Sequence, residues 1–303
     1  TGGKDLKDEV GGVAMLMGID ALEEDGATRV IVLVSRTPGA KTLPKILDRI
    51  RNCSKPVVVY FIGCDPKRIE AAGATAALDL EDAAVRAVAL AEGRPAVRRS
   101  FSISDAEVEA IVGRETARLK REQRYLRGLF VGGTFAEEAM ALLRETIGDV
   151  YSNAPLRPDR KLADSLVSRE HSIIDLGDEE FTVGRPHPGI DPEPIRHAIA
   201  REGRDSGMAV LLMDFILGPA LNPDPVGSVI DLIRQIKNER ERAGGYLSFV
   251  ASVCGTEGDP QNAETQERML REAGAVVMPS NAQAARMAGL IARRAQQLRN
   301  DAK

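Results

Sequence analysis

The chain's strongest constraint is a series of short, unbroken apolar segments rich in β-branched residues, each separated from the next by a helical pattern. They are Arg29–Ser35, Pro56–Ile62, Leu126–Val131, Met208–Phe215 and Leu247–Val253. None alternates apolar with polar residues, so none reads as a strand with one face in water. Continuous apolar strands are buried on both faces, which requires a parallel sheet covered by helices. The helical patterns between them support this reading: Lys7–Glu24, Leu43–Arg51, Glu81–Glu92, Thr134–Ile147, Pro192–Glu202, Val226–Arg242, Asn262–Ala273 and Asn281–Leu298. Alternation of strand and helix predicts an α/β fold with doubly wound topology.

The rhythm breaks at Gly93–Ile103, where Gly93, Pro95, Arg98 and Arg99 precede a mostly charged helix over Asp105–Arg124. Ser104 is its expected N-cap, with Glu107 at the reciprocal position. The predicted organisation is a first domain over residues 1–97, a linker and helix over 98–124, and a second domain over 125–303. The two halves read as copies of one unit. Each runs strand, helix, strand ending in Gly and Cys, then an Ala-Gly-Ala turn and a helix containing Arg86 or Arg286. The second copy opens with an additional strand, Gly132-Gly133-Thr134, a helix and the strand Ser172–Leu176. The first copy has no counterpart to these, so a bare parallel edge and an N-terminally incomplete first domain are expected.

Composition narrows the function classes. The chain has 303 residues, 43% hydrophobic and 28% charged, enough for two cores and ordinary for a globular protein. Aromatics make up 4% with no Trp, so the cores are expected to be aliphatic and Ala-rich. A net charge of −4 gives no electrostatic case for nucleic acid. The basic cluster Arg114–Arg127 mixes Glu with Arg at helical spacing and reads as a solvated helix face. Cys53, Cys64 and Cys254 form no CxxC pair and have no His at ligand spacing. They predict no metal site and suit a reducing cytoplasm. No segment has the apolar length of a membrane helix, and the start is not a signal peptide.

Two loops follow apolar strands and lead into helices: Phe181–Asp191 and Val250–Asn262. At strand C-termini of a parallel sheet, the next helix presents unpaired backbone N–H groups that suit a phosphate or carboxylate. In the first loop, Gly184 belongs to the proposed site, Arg185 offers a fork to an anion, and prolines stiffen the chain around His187. His187 reads as a general acid–base or neutral donor to an acyl oxygen, or as a structural residue bonding a loop carbonyl. In the second loop, the Gly255 and Thr256 amides would face a ligand, with Asp214, Asn222 and Asp224 lining the same crevice. Cys254 reads as buried and unreactive, and His171 and His197 as surface or boundary residues. Gly132, Gly133 and Thr134 form a short anion nest or a simple turn capped by Thr134. At the start, Gly2 and Gly3 would let backbone approach a phosphate, with Lys4 adding charge, or form a flexible terminus.

These loops and their order resemble the succinyl-CoA synthetase superfamily, specifically its FdrA-like members. The residues carrying the likeness are Ile173–Asp191, Ala251–Asn262 and Ala273–Ala288. The resemblance implies two flavodoxin-like ligase domains in one chain, with parallel sheets flanked by helices. In that family, facing helix N-termini surround a phosphohistidine. The corresponding position here is Ala71, so no phosphoryl carrier is expected. The family's CoA-binding domain, which would precede Thr1, and its ATP-grasp portion are not in this sequence. CoA is therefore expected as a cofactor only with that additional domain. The implied function is a carbamoyl- or acyl-transferring subunit that binds an acyl phosphate, as in oxamate carbamoyltransferase. It would use a carboxylate or amide acceptor and work with partner subunits, as a homo-oligomer. Alternatives are an acyl-CoA ligase component and a non-catalytic assembly subunit.

Overall fold

The computed structural model describes residues 3–300, which fall in two compact units divided between Arg99 and Ser100. The first unit contains α1 (Val13–Glu24), β1 (Ile31–Arg36), α2 (Thr42–Arg51), β2 (Val57–Ile62), α3 (Pro66–Glu70), β3 (Thr75–Ala76) and α4 (Leu80–Glu92). Its three strands are parallel in the order β1-β2-β3. β2 is central and buried along its whole length, as its unbroken apolar run requires. On one face, Ile31, Leu33, Val59 and Phe61 pack with Leu43, Ile46 and Ile19 of the neighbouring helices.

α1 starts later than the apolar spacing of Lys7–Glu24 predicts. Gly11 and Gly12 both take positive φ, at 80° and 76°, and break the helical path. Asp5 then reaches forward to accept the amides of Ala14 and Met15, each at 2.9 Å. Asp8 does the same for α2, accepting from the Thr42 amide at 3.0 Å.

The second unit contains α5 (Asp105–Thr116), β4 (Tyr125–Phe130), α6 (Gly133–Ile147), β5 (Tyr151–Ser152), β6 (Ser172–Asp175) and α7 (Glu179–Thr182). It continues through α8 (Glu193–Glu202), β7 (Met208–Ile216), α9 (Gly227–Arg242), β8 (Ser248–Cys254), α10 (Ala263–Glu272), β9 (Val276–Met278) and α11 (Asn281–Asn300). All six strands are parallel, in the order β5-β6-β4-β7-β8-β9. One face carries α5, α6 and α11 over Leu126, Phe130, Val210 and Leu212. The other carries α8, α9 and α10 over Leu129, Leu211, Met213 and Phe249. The architecture is an α/β fold with helices on both faces of parallel sheets. β4 comes first in the chain yet lies between β6 and β7, so the winding reverses around it.

Several local readings change. The helix predicted over Asp105–Arg124 stops at Thr116, although Ser104 and Glu107 form the reciprocal capping pair at its start. α5 packs Val108 and Val112 into the core of the second unit. The cluster Arg114–Arg127 is not one solvated helix face, because it crosses from α5 into β4. Arg127 is buried and pairs with Glu202 at 3.1 Å and Asp205 at 2.6 Å. Ser168 donates to the other Glu202 oxygen at 2.9 Å, so the buried charges are matched and bonded. His171 is likewise interior rather than superficial. Its Nδ1 accepts the Leu126 amide at 3.0 Å, and burial with Arg127 and Arg124 nearby lowers its pKa to about 4.

Candidate functional site

The C-terminal ends of β4, β6 and β7 converge where the strand order reverses, the place where open α/β sheets leave a crevice for ligands. β4 delivers Val131, Gly132 and the start of α6. β6 delivers Asp175, and β7 delivers Asp214. Both glycines are required by close approach. A side chain at Gly133 would put its first carbon 2.7 Å from Asp175 Oδ2, and one at Gly132 would put it 3.0 Å from Asp214 Oδ2.

Asp214 is fully enclosed and accepts the Val131 and Gly132 amides at 2.7 and 2.9 Å. Burial raises its pKa to about 7 against those two bonds, and the nearby Asp175 pushes the same way. Asp175 Oδ1 accepts the Gly177 amide at 2.9 Å. A cavity of about 20 Å³ lies over Asp214, lined also by Val131, Pro188, Gly189, Asn222 and Ser228. That is room for one water-sized molecule.

The helix starts differ in one respect. Among the described helices of eight residues or more, every one but α6 has a side chain accepting a first-turn amide. Asp5 serves α1, Asp8 α2, Asp79 α4, Ser104 α5, Asp191 α8, Asp224 α9, Asn262 α10 and Ser280 α11. α6 has no side-chain cap at Gly132, so its first-turn amides at Gly133, Thr134 and Phe135 lie at the positive end of the helix dipole. Gly133 and Thr134 are therefore brought to a helix start whose cap residue has no side chain to offer, beside the Asp175 carboxylate, while the Gly132 amide is already given to Asp214.

Other predicted residues fare differently. His187 lies near these strand ends. Its Nδ1 accepts the Gly189 amide at 3.1 Å, which assigns the proton of the neutral ring to Nε2, and partial burial lowers its pKa. Nε2 abuts Gly177, where a side chain's first carbon would come within 2.8 Å. Gly184 takes φ 73° in the same loop. Arg185 is exposed in that turn, and among the described residues its guanidinium makes no ion pair.

Gly255 and Thr256 sit at the end of β8, one strand beyond β7. The Thr256 amide is not available to a ligand, because Asp259 Oδ2 accepts it at 2.7 Å and the Thr256 hydroxyl at 3.1 Å. Thr-x-x-Asp spacing signals such a closed turn. Cys254 is exposed, not buried, since β8 ends on it. Partial desolvation, with Asp214 and Asp259 nearby, holds its thiol above the usual pKa, the wrong direction for a nucleophile. Asp224 caps α9, while Asn222 reaches the cavity.

In the first unit, Gly3 lies in an exposed turn well before α1, and Gly2 lies outside the described residues. Ala71 ends α3 and is exposed. Asp214 and Asp175 are the functional candidates that sequence reading underweights. A lone acidic residue closing an apolar strand is the signal each offers. No group of three or more His, Cys, Asp or Glu among the described residues is placed to hold a metal ion. No described helix is long and apolar enough to cross a membrane.

Comparison with known proteins adds a family. The CoA-ligase family profile matches residues 129–291. The uncharacterized protein YahF of Escherichia coli (strain K12) is 38% identical over 293 residues, covering 97% of this chain and 55% of that protein. The chain thus spans about half the length of this curated relative. Among solved structures, a dinucleotide-forming acetyl-coenzyme A synthetase 1 of Ca. Korarchaeum cryptofilum, in complex with phosphate and ADP, is 15% identical with a TM-score of 0.42. That likeness covers 95% of this chain and 58% of the synthetase. PH0766 of Pyrococcus horikoshii OT3 is 10% identical with a TM-score of 0.37, over 93% of this chain and 56% of that one.

Proposed function

The chain belongs to the CoA-ligase family, and from that premise we propose that it holds an acyl phosphate, of the carbamoyl phosphate type, at the start of α6. The observation that carries this reading is the uncapped first turn of α6 at the reversal of strand order. First-turn N–H groups and a helix dipole suit a phosphate's oxygens and charge. In acyl transfer, the acceptor's nucleophilic atom bonds to the acyl carbon, the bond from that carbon to the phosphate oxygen breaks, and phosphate leaves with the electron pair. Donors fixed beside the departing phosphate stabilise that charge without rearranging. The neutral His187 ring, with its proton on Nε2, supplies a donor for the acyl oxygen, and Arg185 supplies mobile positive charge at the mouth.

Asp214 tunes the site. Its carboxylate lies behind Gly132, and with its pKa raised to about 7 it is partly protonated at neutral pH. Protonation removes a negative charge that would otherwise repel the phosphate. Ala71 leaves the first unit without an imidazole at the position where the family resemblance places a phosphoryl carrier. This favours direct transfer, in the manner of an FdrA-like carbamoyltransferase subunit, over a phosphoryl relay. The family match itself supports a second reading, an acyl-CoA ligase component in which the same helix start binds phosphate.

Titration calorimetry with carbamoyl phosphate and with inorganic phosphate tests the site. Thr134→Pro deletes one first-turn amide at a position where a helix tolerates proline. We expect this change to weaken binding at least several-fold while leaving helix content by circular dichroism unchanged. Equal binding by the variant and the parent protein would sink the proposal. Nucleotide-driven acyl-CoA formation by the full-length protein would select the ligase reading.

A further inference from the structure

The second unit holds a larger cavity at the other end of its sheet, away from the strand ends that carry Asp175 and Asp214. It measures about 490 Å³ and opens beside Tyr246, just before β8 begins. A strand as long as β8 puts roughly 20 Å between the two ends of the sheet. Arg118, which follows α5, and Lys237 of α9 line the cavity, with Glu272 and Gly274 at the end of α10.

Tyr246 is fixed by a buried carboxylate. Its hydroxyl donates at 3.1 Å to Glu115 Oε2, which also accepts the Ser248 hydroxyl at 3.0 Å. Burial, with Glu115 alongside, raises the phenol's pKa to about 12, so it keeps its proton. Two cations share this ring. The Arg118 guanidinium lies 5.0 Å from the ring centre and the Lys237 ammonium 5.4 Å, both within cation–π range.

The charges around the cavity are unevenly matched. Glu241 pairs with Arg118 at 3.2 Å, Glu272 with Arg268 at 3.1 Å, and Arg234 with Asp231 at 3.2 Å. Lys237 is half-buried and, among the described residues, makes no ion pair. One of its N–H groups donates to the Gly274 carbonyl at 2.7 Å, which closes the turn after α10 and leaves the other donors for a ligand. Burial lowers the pKa of this ammonium, and Arg118 and Arg114 push the same way against Glu115 and Glu241. An anion between Lys237 and Arg118 relieves both the desolvation and the crowding of like charges.

We propose that this cavity binds a small hydroxylated anion, its single carboxylate or phosphate group held between Lys237 and Arg118. Cavities of about 300–1,000 Å³ take ligands of that size. Glu241 and Glu272 repel a second anionic group, and with Asn238 they offer acceptors to hydroxyls on the rest of the molecule. Most of the lining side chains are polar or charged, so an apolar body gains little there. The site stands apart from the start of α6 and does not depend on what binds there.

Titration calorimetry at low ionic strength tests the site with gluconate, which offers a carboxylate, and with ribose phosphate, which offers a phosphate ester. We expect at least one of them to bind and added salt to weaken the binding. Lys237→Met should weaken it about tenfold by removing the charged donor. Arg118→Gln should weaken it too. Arg118 is exposed, so this second variant keeps the test decisive if Lys237→Met loosens the turn after α10. Whichever anion binds identifies the ligand chemistry as carboxylate or phosphate ester. Binding of neither, or equal binding by the parent chain and both variants, overturns the proposal. Ribose phosphate bound equally by both variants but weakened by Thr134→Pro would sit at α6. That outcome overturns this site and leaves the reading of α6 standing.

Discussion

Two buried titrating residues of the second unit pull its stability in opposite directions with pH. The His171 ring has an ordinary pKa of 6.5, lowered to about 4 in the fold. The unfolded chain therefore takes up a proton below pH 6.5 that the folded chain refuses, and stability is lost as pH falls from 6.5 towards 4. Asp214 has the reverse sign. Its ordinary 3.8 rises to about 7, so stability is lost as pH climbs between those values. Across the shared window, about pH 4 to 6.5, the two slopes oppose each other. Asp214→Asn removes one of them. We expect its unfolding free energy in urea to rise relative to wild type between pH 4.5 and 6.5, with a slope approaching 1.4 kcal/mol per pH unit. Parallel pH profiles for the two proteins would contradict the assignment. Arg127 makes the other prediction at this scale. Arg127→Met leaves Glu202 buried with its main counter-charge gone, costing about 3–5 kcal/mol. The double variant Arg127→Met, Glu202→Leu should recover much of that loss in the same unfolding assay. Sequence could not show either arrangement, because Arg127 meets Glu202 and Asp214 meets Gly132 only after distant segments are folded together.

Elements were legible where their own periodicity or capping residues define them. β2, β7 and β8 carry apolar runs long enough to declare a buried parallel strand, and α5 announces its start through Ser104 and Glu107. Ser104→Ala should destabilise the second unit by about 1 kcal/mol, measurable as a lower urea midpoint with an unchanged denaturant slope. A slope that also changed would mean the cap shapes more than one helix end. β3, β5 and β9 span only two or three residues, too few for any period to appear. They exist because a neighbouring strand offers a ladder at the right register, and that is a property of the sheet. The same logic separates the candidate anion loops. Gly132-Gly133-Thr134 and Gly255-Thr256 look alike as strand-to-helix turns. A carboxylate lands on an amide in both, Asp214 on Gly132 and Asp259 on Thr256, and only Asp259, three residues after Thr256, was close enough in sequence to betray it.

At the scale of the molecule, each unit has a hydrophobic interior of its own, and the chain between them has little to hold it. The first unit closes around β2, while the second closes on both faces of its six strands. Residues 94–100 are exposed, no strand or helix includes any of them, and they contain Arg94, Arg98 and Arg99. A protease needs an extended, accessible segment to seat a cleavage site, and helices and buried strands deny it one. Trypsin at low ratio should therefore cut first within this segment, although arginines and lysines occur throughout the chain. The products should be fragments ending near Arg99 and beginning near Ser100, seen by mass spectrometry before smaller peptides accumulate. The larger fragment retains the whole six-stranded sheet, both of its helical layers, and the start of α6. It should stay folded after separation, unfold cooperatively in urea, and bind phosphate as the intact chain does. Cleavage appearing first inside α9 or α11 would show instead that a helix, and not the connecting segment, is the weakest part of the fold.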